Sequence, residues 1–447
     1  MKILRRIGIV IVVLLVLFAA VTFWVLRTPS SPFDNQPAIT AAAYSLEESS
    51  YEARLSDCVA CHSVPGQAPF SGGLAMGSPL GVIYATNITP DKETGIGNYT
   101  LADFDRAVRH GVARDGHRLY PAMPYPSYAK LTDEDVKKLY DYFMFQVEPA
   151  SRQNQPTDIP SPLNIRWPLA YWNAVFAGGG VYQPKPDQSE AWNRGAYIVE
   201  GPGHCGSCHT ERGLAFNEVA LDSSSDAFLA GAELDGWHAS NLRGDNRTGL
   251  GRWTEEDIAA LLKVGRNAHA TVFGSMLEAF NNSTQFFKDE DLMAVATYLK
   301  SLKGTKNEPE WRYDEAAFTA VKAGDFSATG AALYFRQCSN CHGQDGKGRG
   351  TLQPPLAGNP TVLEKDPSSI INILLNGAGR MVVAGVPDSY RMTPFRVLMR
   401  DDQIAEVATY IRASWGNDAP AVTAAEVKAL REKTDPSTDH VIVLQMR

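Results

Sequence analysis

The sequence predicts a mainly α-helical protein in which three domains of one plan follow an apolar amino-terminal segment. Three observations predict this fold class. A Cys-x-x-Cys-His pattern occurs three times, segments of more than 100 residues recur along the chain, and an amphipathic helix with an acidic first turn closes each recurring unit. At 447 residues the chain is long enough for about three domains of ordinary size.

The composition is that of a globular protein, with 44% hydrophobic and 21% charged residues. This balance excludes a disordered or collagen-like chain. The formal net charge is −8 at pH 7, and basic and acidic residues are interspersed. Because nucleic-acid binding needs Lys and Arg clustered on a basic domain, we expect no nucleic-acid partner.

Residues 1–30 are predicted to form a membrane anchor or an export signal. Lys2, Arg5 and Arg6 precede an uncharged apolar run from Ile7 to Leu26, which is long enough to cross a bilayer as a helix. The run exceeds the apolar core of most signal peptides and lacks a good Ala-x-Ala cleavage site, which favours a retained anchor. Either alternative exports the body, because the basic flank stays in the cytoplasm. We therefore expect an inner-membrane protein whose body lies in the periplasm.

All six cysteines belong to the three Cys-x-x-Cys-His motifs, so none is left for a disulfide framework. The motifs consist of Cys58, Cys61 and His62, of Cys205, Cys208 and His209, and of Cys338, Cys341 and His342. A zinc site would need two such halves, and three widely separated halves cannot be paired without a remainder. A thioredoxin-like dithiol does not call for the histidine and is expected near a βαβ pattern.

Covalent haem attachment accounts for every residue of the motif. The two thiols add to the vinyl groups of the porphyrin, and the adjacent histidine binds the iron as the proximal ligand. The sequence therefore predicts three covalently bound haem c groups.

Each haem motif is predicted to lie in a class I cytochrome c-like domain, where an opening helix packs across a closing helix. The closing helices read "LTDEDVKKLYDYFMF", "KDEDLMAVATYLKSL" and "RDDQIAEVATYIRASWG". In the first two units "YATNITPDKETGIGNYTLADF" aligns with "HASNLRGDNRTGLGRWTEEDI", and the third keeps a trace in "LAGNP". We expect domains at 40–150, 188–304 and 320–417, a Pro-rich linker strap at 151–187 between the first two, and a tail at 418–447.

The sixth iron ligand is predicted from position, because most methionines are core residues. Met123, Met276 and Met392 follow the marker residues Asn87, Asn241 and Asn359 by 36, 35 and 33 residues. Met381 and Met399 are the alternatives in the third unit. For the asparagines, contact with haem edges and a plain turn-forming role both stay open.

These motifs identify a resemblance. "CVACH", "ATNITPDKETGIGNY", "LYPAMPYPSYAKLTDEDV", "NIRWPLAYWN", "GPGHCGSCHTERG" and "YIRASWGN" resemble the three-haem cytochrome c subunits of bacterial membrane-bound alcohol, gluconate, fructose or aldehyde dehydrogenases. The resemblance covers roughly residues 45–417. It implies a large partner subunit of quinoprotein, flavin or molybdenum type that oxidises the substrate, and transfer of the electrons to ubiquinone or a terminal oxidase. The anchor-like amino segment and the tail depart from the family pattern.

With His and Met on every iron, no coordination position is free for substrate, so the chain is not expected to be catalytic alone. Two alternatives stay open. One is a multihaem peroxidase or sulfur-oxidising cytochrome with one open haem, for which the third unit is the best place because its repeat is weakest. The other is a free electron shuttle or an oxidase subunit.

Overall fold

The computed structural model describes residues 2–436 and 446, and its regular structure is mainly α-helical. Among them, residues 2–49 and 70–182 form one compact unit, and residues 50–69 and 183–436 belong to a second. The elements of the first 182 residues are α1 Lys2–Leu26, α2 Leu46–Leu55, α3 Cys58–His62, β1 Ala75–Ser78, β2 Gly81–Tyr84, α4 Leu101–His110, α5 Tyr125–Tyr128, α6 Asp133–Asp141, a π-helical turn Tyr142–Gln146 and α7 Leu169–Phe176.

The rest of the chain forms further helices and two further hairpins. Its elements are α8 Glu190–Glu200, α9 Gly206–His209, β3 Ala232–Leu234, β4 Trp237–Ala239, α10 Glu255–Val264, α11 Ser275–Asn282, a 3₁₀ turn Thr284–Phe286, α12 Asp289–Ser301, α13 Ala316–Lys322, α14 Ala331–Gln337, α15 Ser339–His342, α16 Pro360–Leu363, α17 Ser368–Asn376, β5 Val382–Val383, β6 Val386–Pro387, α18 Asp401–Ala413 and α19 Ala424–Lys433. The strand pairs β1–β2, β3–β4 and β5–β6 are antiparallel.

Helix α1 contains a segment, Ile3–Leu26, that is long and apolar enough to cross a membrane. Its apolar side chains are largely exposed, as a lipid-facing helix requires. A cleaved export signal meets the same criteria of length and composition.

The segments that align in the sequence also fold alike. The amide of Ile96 donates to the carbonyl of Thr89 at 2.9 Å, and the amide of Leu250 donates to the carbonyl of Arg243 at 2.7 Å. Helices α4 and α10 then begin with a capping box and end at a left-handed glycine, formed by Thr100, Asp103 and Gly111 in α4 and by Thr254, Asp257 and Gly265 in α10. The repeated sequence therefore encodes a repeated local structure.

Two closely packed helix crossings organise the second unit. In the crossing of α8 and α12, a Cβ on Gly195 would overlap the carbonyl oxygen of Ala294 and lie 2.8 Å from Cβ of Tyr298. In the crossing of α14 and α18, a Cβ on Gly330 would overlap the corresponding carbonyl, and Tyr410 takes the position of Tyr298. Both glycines are needed because the helix backbones approach so closely.

The region after Asn417 adds to the core around α18. Val427 of α19 is fully buried in this core. The guanidinium of Arg431 holds α19 in place, with Nε 2.7 Å from Asp401 and Nη1 donating to the carbonyl of Arg396 at 2.6 Å. The part of the 418–447 tail from 437 to 445, and residue 447, lie outside the described residues.

Candidate haem-attachment sites

Each Cys-x-x-Cys-His motif forms one short helical turn, α3, α9 or α15. Positions i, i+3 and i+4 share one face of a helix, so both thiols and the imidazole of a motif are presented on the same side. This arrangement matches a ligand that makes two covalent bonds to sulfur and one bond to nitrogen.

The cysteines are free, and burial favours the neutral form of the thiols whose pKa it raises. None of the six cysteines, all of which lie in the described part of the chain, is in a disulfide. Burial raises the pKa of the Cys205 and Cys338 thiols to about 12 and that of Cys208 to about 11. A neutral, protected thiol suits a thioether bond, whereas a zinc site or a redox dithiol requires thiolate character.

The imidazoles of His209 and His342 have a fixed tautomer. Nδ1 of His209 lies 2.7 Å from the carbonyl oxygen of Ser240, and Nδ1 of His342 lies 2.9 Å from that of Pro354. A carbonyl only accepts, so Nδ1 carries the proton and Nε2 keeps a free lone pair. Burial lowers the pKa of both imidazoles, which keeps them neutral. These are the properties of a metal ligand supported by a backbone hydrogen bond.

Residues 2–436 and 446 contain no group of three His, Cys, Asp or Glu side chains placed to hold an ion. At the second and third motifs, the two cysteines and the histidine protonated at Nδ1 fit a covalently attached haem.

The first motif is placed in the second unit. Helix α3 packs against α11, and the preceding helix α2 is hydrogen-bonded to the same region: the Tyr51 hydroxyl donates to Asp291 at 2.6 Å, and the Ser283 hydroxyl donates to the carbonyl of Arg54 at 2.6 Å. Burial raises the pKa of Cys61 to about 12, and nearby Asp57 and Cys208 add to the effect. The first and second motifs are therefore close neighbours.

Two of the three predicted methionines lie in loops and one lies at the start of a helix. Met123 lies in the loop before α5 in the first unit, Met276 in the first turn of α11, and Met392 in the loop that leads to the core around α18. Each is partly buried. The carbonyl of Met392 accepts from the amide of Ala378 at 3.0 Å, which fixes its loop beside the end of α17.

Met381, the main alternative to Met392, is used differently. It is 5% exposed and packs against Val272, Leu277 and Phe280, which belong to the second sequence repeat. A Cβ on Gly265 would overlap its sulfur. Met381 therefore serves as a contact between the second and third repeats. Met399, the other alternative, is buried in the core around α18.

The marker asparagines form turns. The side-chain oxygens of Asn87, Asn241 and Asn359 accept from the backbone amides two residues ahead, at 2.9, 2.8 and 3.0 Å respectively. This is the Asx-turn geometry. The turn-forming role is thus established, and it explains why an Asn recurs at the same place in each of the three sequence repeats.

Sequence reasoning missed a cluster of titratable side chains around the buried Glu364, close to the second motif. The carboxylate of Glu364 is 3.8 Å from Nε2 of His238 and 3.9 Å from Nζ of Lys306. Burial raises the pKa of Glu364 to about 7, while burial lowers that of His238. His238 in turn contributes to the lowered pKa of His209. The residues of this cluster are far apart in the chain, so no local spacing in the sequence indicates it.

Comparison with known proteins gives a consistent result. The family model for cytochrome c matches residues 327–415. The chain is 49% identical to the gluconate 2-dehydrogenase cytochrome c subunit of Pantoea cypripedii, over 87% of this chain and 89% of that protein. It is 44% identical to the cytochrome c subunit of the quinone-dependent alcohol dehydrogenase of Gluconobacter oxydans, over 88% and 83%. It is 38% identical to the fructose dehydrogenase cytochrome subunit of Gluconobacter japonicus, over 90% and 85%.

Proposed function

The chain belongs to the family of cytochrome c subunits of dehydrogenases, and from this membership we propose that it carries three haem c groups and conducts electrons away from a partner dehydrogenase. The acceptor is ubiquinone or a terminal oxidase. Helix α1 anchors the protein in the inner membrane, and the body lies in the periplasm. The proposed axial ligand pairs are His62 with Met123, His209 with Met276, and His342 with Met392.

The observation that carries this proposal is the second motif. Cys205, Cys208 and His209 share one helical turn, the thiols are neutral, and Nδ1 of His209 is bound to the Ser240 carbonyl. The third motif repeats the arrangement with His342 and Pro354. Bound haem c supplies reversible one-electron transfer at an iron whose potential is set by its ligands and surroundings.

The residues of the chain position the three proposed sites. The cysteines would attach each haem, and the backbone carbonyls that accept from Nδ1 of His209 and His342 leave Nε2 of each ring available to bind iron. The crossings at Gly195 and Gly330 bring two aromatic side chains, Tyr298 and Tyr410, into the core.

Contacts within the second unit favour a consecutive path. The segment that carries the first motif packs on α11, which belongs to the second repeat. The second repeat also contacts the third, since Asn281 donates to the carbonyl of Arg380 at 3.1 Å and accepts from the amide of Val382 at 3.0 Å. The second haem therefore lies between the other two in the proposed path.

Purification of the complex tests the proposal. The tagged full-length chain is extracted gently from membranes, and its intact mass and co-purifying subunits are determined by mass spectrometry. We expect a mass increase of three haems and a large exported subunit that contains a flavin, a quinone or a molybdenum cofactor. A chain with fewer haems, or one that arrives alone or with an oxidase only, would contradict the proposal.

A matched pair of variants links the haem count to the motifs. The double variant Cys205→Ala with Cys208→Ala should lose one haem, while Ser207→Ala, inside the same motif, should keep all three. A full haem count in the double variant would show that this motif is not an attachment site.

A further inference from the structure

The Pro-rich segment after the first closing helix carries an uncharged, aromatic surface. Between Arg166 and Lys185 the sequence "WPLAYWNAVFAGGGVYQPK" contains no charged residue before the final Lys. Trp167 is 55% exposed and Val175 70% exposed, and Leu163 and Ile165 just before them are 51% and 45% exposed. An exposed apolar patch of this kind marks an interaction surface, because ordinary protein surfaces are interspersed with charge.

One side of α7 is fixed to the first unit. Asn173 donates from Nδ2 to the carbonyl of His110 at 3.0 Å and accepts from the Tyr125 hydroxyl at 2.7 Å. Ala170 is 2% exposed on the same side. Asn173 and Ala170 thus face the first unit, where the ring of Trp172 also packs on Tyr125 with centroids 6.1 Å apart, while Val175 faces outward.

The outward side adjoins the end of α1. Helix α1 packs against α7, and the hydroxyls of Thr22 and Tyr171 are 2.5 Å apart. Nη2 of the buried Arg118 donates to the carbonyls of Val25 at 3.2 Å and Arg27 at 3.1 Å, so it satisfies orphan carbonyls at the end of α1. The exposed side chains of α1 therefore lie next to the exposed side chains of α7.

We propose that residues 163–176, here called the interfacial segment, insert into the lipid headgroup region beside α1. This inference rests on the proposed membrane attachment and names a second contact with the bilayer. Trp and Tyr concentrate where a membrane meets water, because their rings have an apolar body and a polar edge. Trp167, Tyr171 and Trp172 give the segment this composition at the point where a membrane-spanning α1 would leave the bilayer. A short apolar helix lying in the interface adds binding energy in proportion to its buried apolar area.

A photoreactive lipid tests the inference on the full-length protein with its haems and partner subunit. The complex is reconstituted in nanodiscs that contain diazirine-bearing phosphatidylcholine, irradiated, digested and analysed for lipid adducts by mass spectrometry. We expect adducts on the interfacial segment as well as on α1. Adducts on α1 alone would overturn the inference.

Exposed apolar residues elsewhere provide the control. Val397 and Leu398 are 94% and 73% exposed in the second unit and should stay free of adducts. Equal labelling of that pair would mean that the reagent marks any exposed apolar side chain, and this would remove the support for the inference. Labelling of the interfacial segment only after the partner subunit is stripped would assign the surface to that subunit and would also overturn it.

A variant separates this inference from the proposed function. Val175→Asp should reduce adducts on the interfacial segment several-fold, with the optical spectrum and the co-purifying dehydrogenase unchanged. Val397→Asp is the matched control and should leave those adducts unchanged. A complex with three haems and its partner but no adducts on the interfacial segment would contradict only the lipid contact. A complex lacking haems or partner would contradict the proposed function.

Discussion

Nδ1 of His209 is bound to the carbonyl oxygen of Ser240 at 2.7 Å. This hydrogen bond assigns the proton to Nδ1 and leaves Nε2 as the nitrogen that binds a metal. It holds the ring in one orientation, so α9 would set the position of an iron bound at Nε2. The remaining question is which methionine would bind that iron as its sixth ligand.

Replacement of Met276 tests the second ligand pair. Met276→Ala should convert about one third of the iron from low spin to high spin, because one of the three proposed haems would lose its proposed sixth ligand. Electron paramagnetic resonance and resonance Raman spectra measure this fraction. The control is Met293→Ala, since Met293 is 36% exposed on α12 and makes no predicted bond to iron. An all-low-spin Met276→Ala protein would exclude Met276 as the ligand.

The helix crossing at Gly195 is expected to tolerate no side chain. Gly195→Ala places a Cβ against the carbonyl oxygen of Ala294, and overpacking of this kind costs about 1–3 kcal/mol. Denaturant unfolding followed by circular dichroism should show a lower midpoint. Gly178→Ala is the control, because a Cβ there has nothing within 4 Å. Equal midpoints for the two variants would show that the backbones at the crossing separate easily.

The closing helices were predictable because their signals are local. Asp289, Glu290 and Asp291 fill the first turn of α12, and the helix begins at Asp289 as the acidic cluster indicates. The hairpin of β1 and β2 was not predicted, because its strands are four residues each, contain no buried residue and show no clear alternation.

Contacts between distant parts of the chain leave no such signal. The hydrogen bond from Tyr51 to Asp291 joins residues 240 positions apart, and the cluster of Glu364 with His238 joins two repeats. Pattern and spacing describe one element at a time, whereas these partners are chosen by tertiary packing. The same limit applies to Met381, whose burial against Phe280 in another repeat could not be read from its neighbours in sequence.

The buried carboxyl of Glu364 should make stability depend on pH. Burial raises its pKa from 4.5 to about 7, so the folded protein holds a proton that the unfolded chain releases. The folded state therefore loses stability as the pH rises from about 4.5 to 7, by up to roughly 3 kcal/mol. Glu364→Gln should remove this loss, so that unfolding midpoints at pH 5 and pH 8 differ less than in the parent. Glu290→Gln, at an exposed position on α12, should keep the parent's pH dependence. A pH dependence retained in Glu364→Gln would show that another group is responsible.

Met392 and Met381 offer the sharpest test in the third repeat, because one substitution should change the iron and the other the packing. Met392→Ala should produce a high-spin signal from about one third of the iron, with a modest change in stability. Met381→Ala should leave all haems low spin, but it should lower the free energy of unfolding by about 2–5 kcal/mol, since Met381 is buried between Phe280 and Leu277. Spin state and unfolding midpoint are measured on both proteins. The opposite result, a high-spin signal only in Met381→Ala, would identify Met381 and not Met392 as the iron ligand. A high-spin signal already present in the parent would instead favour an open haem in the third repeat, as a peroxidase requires.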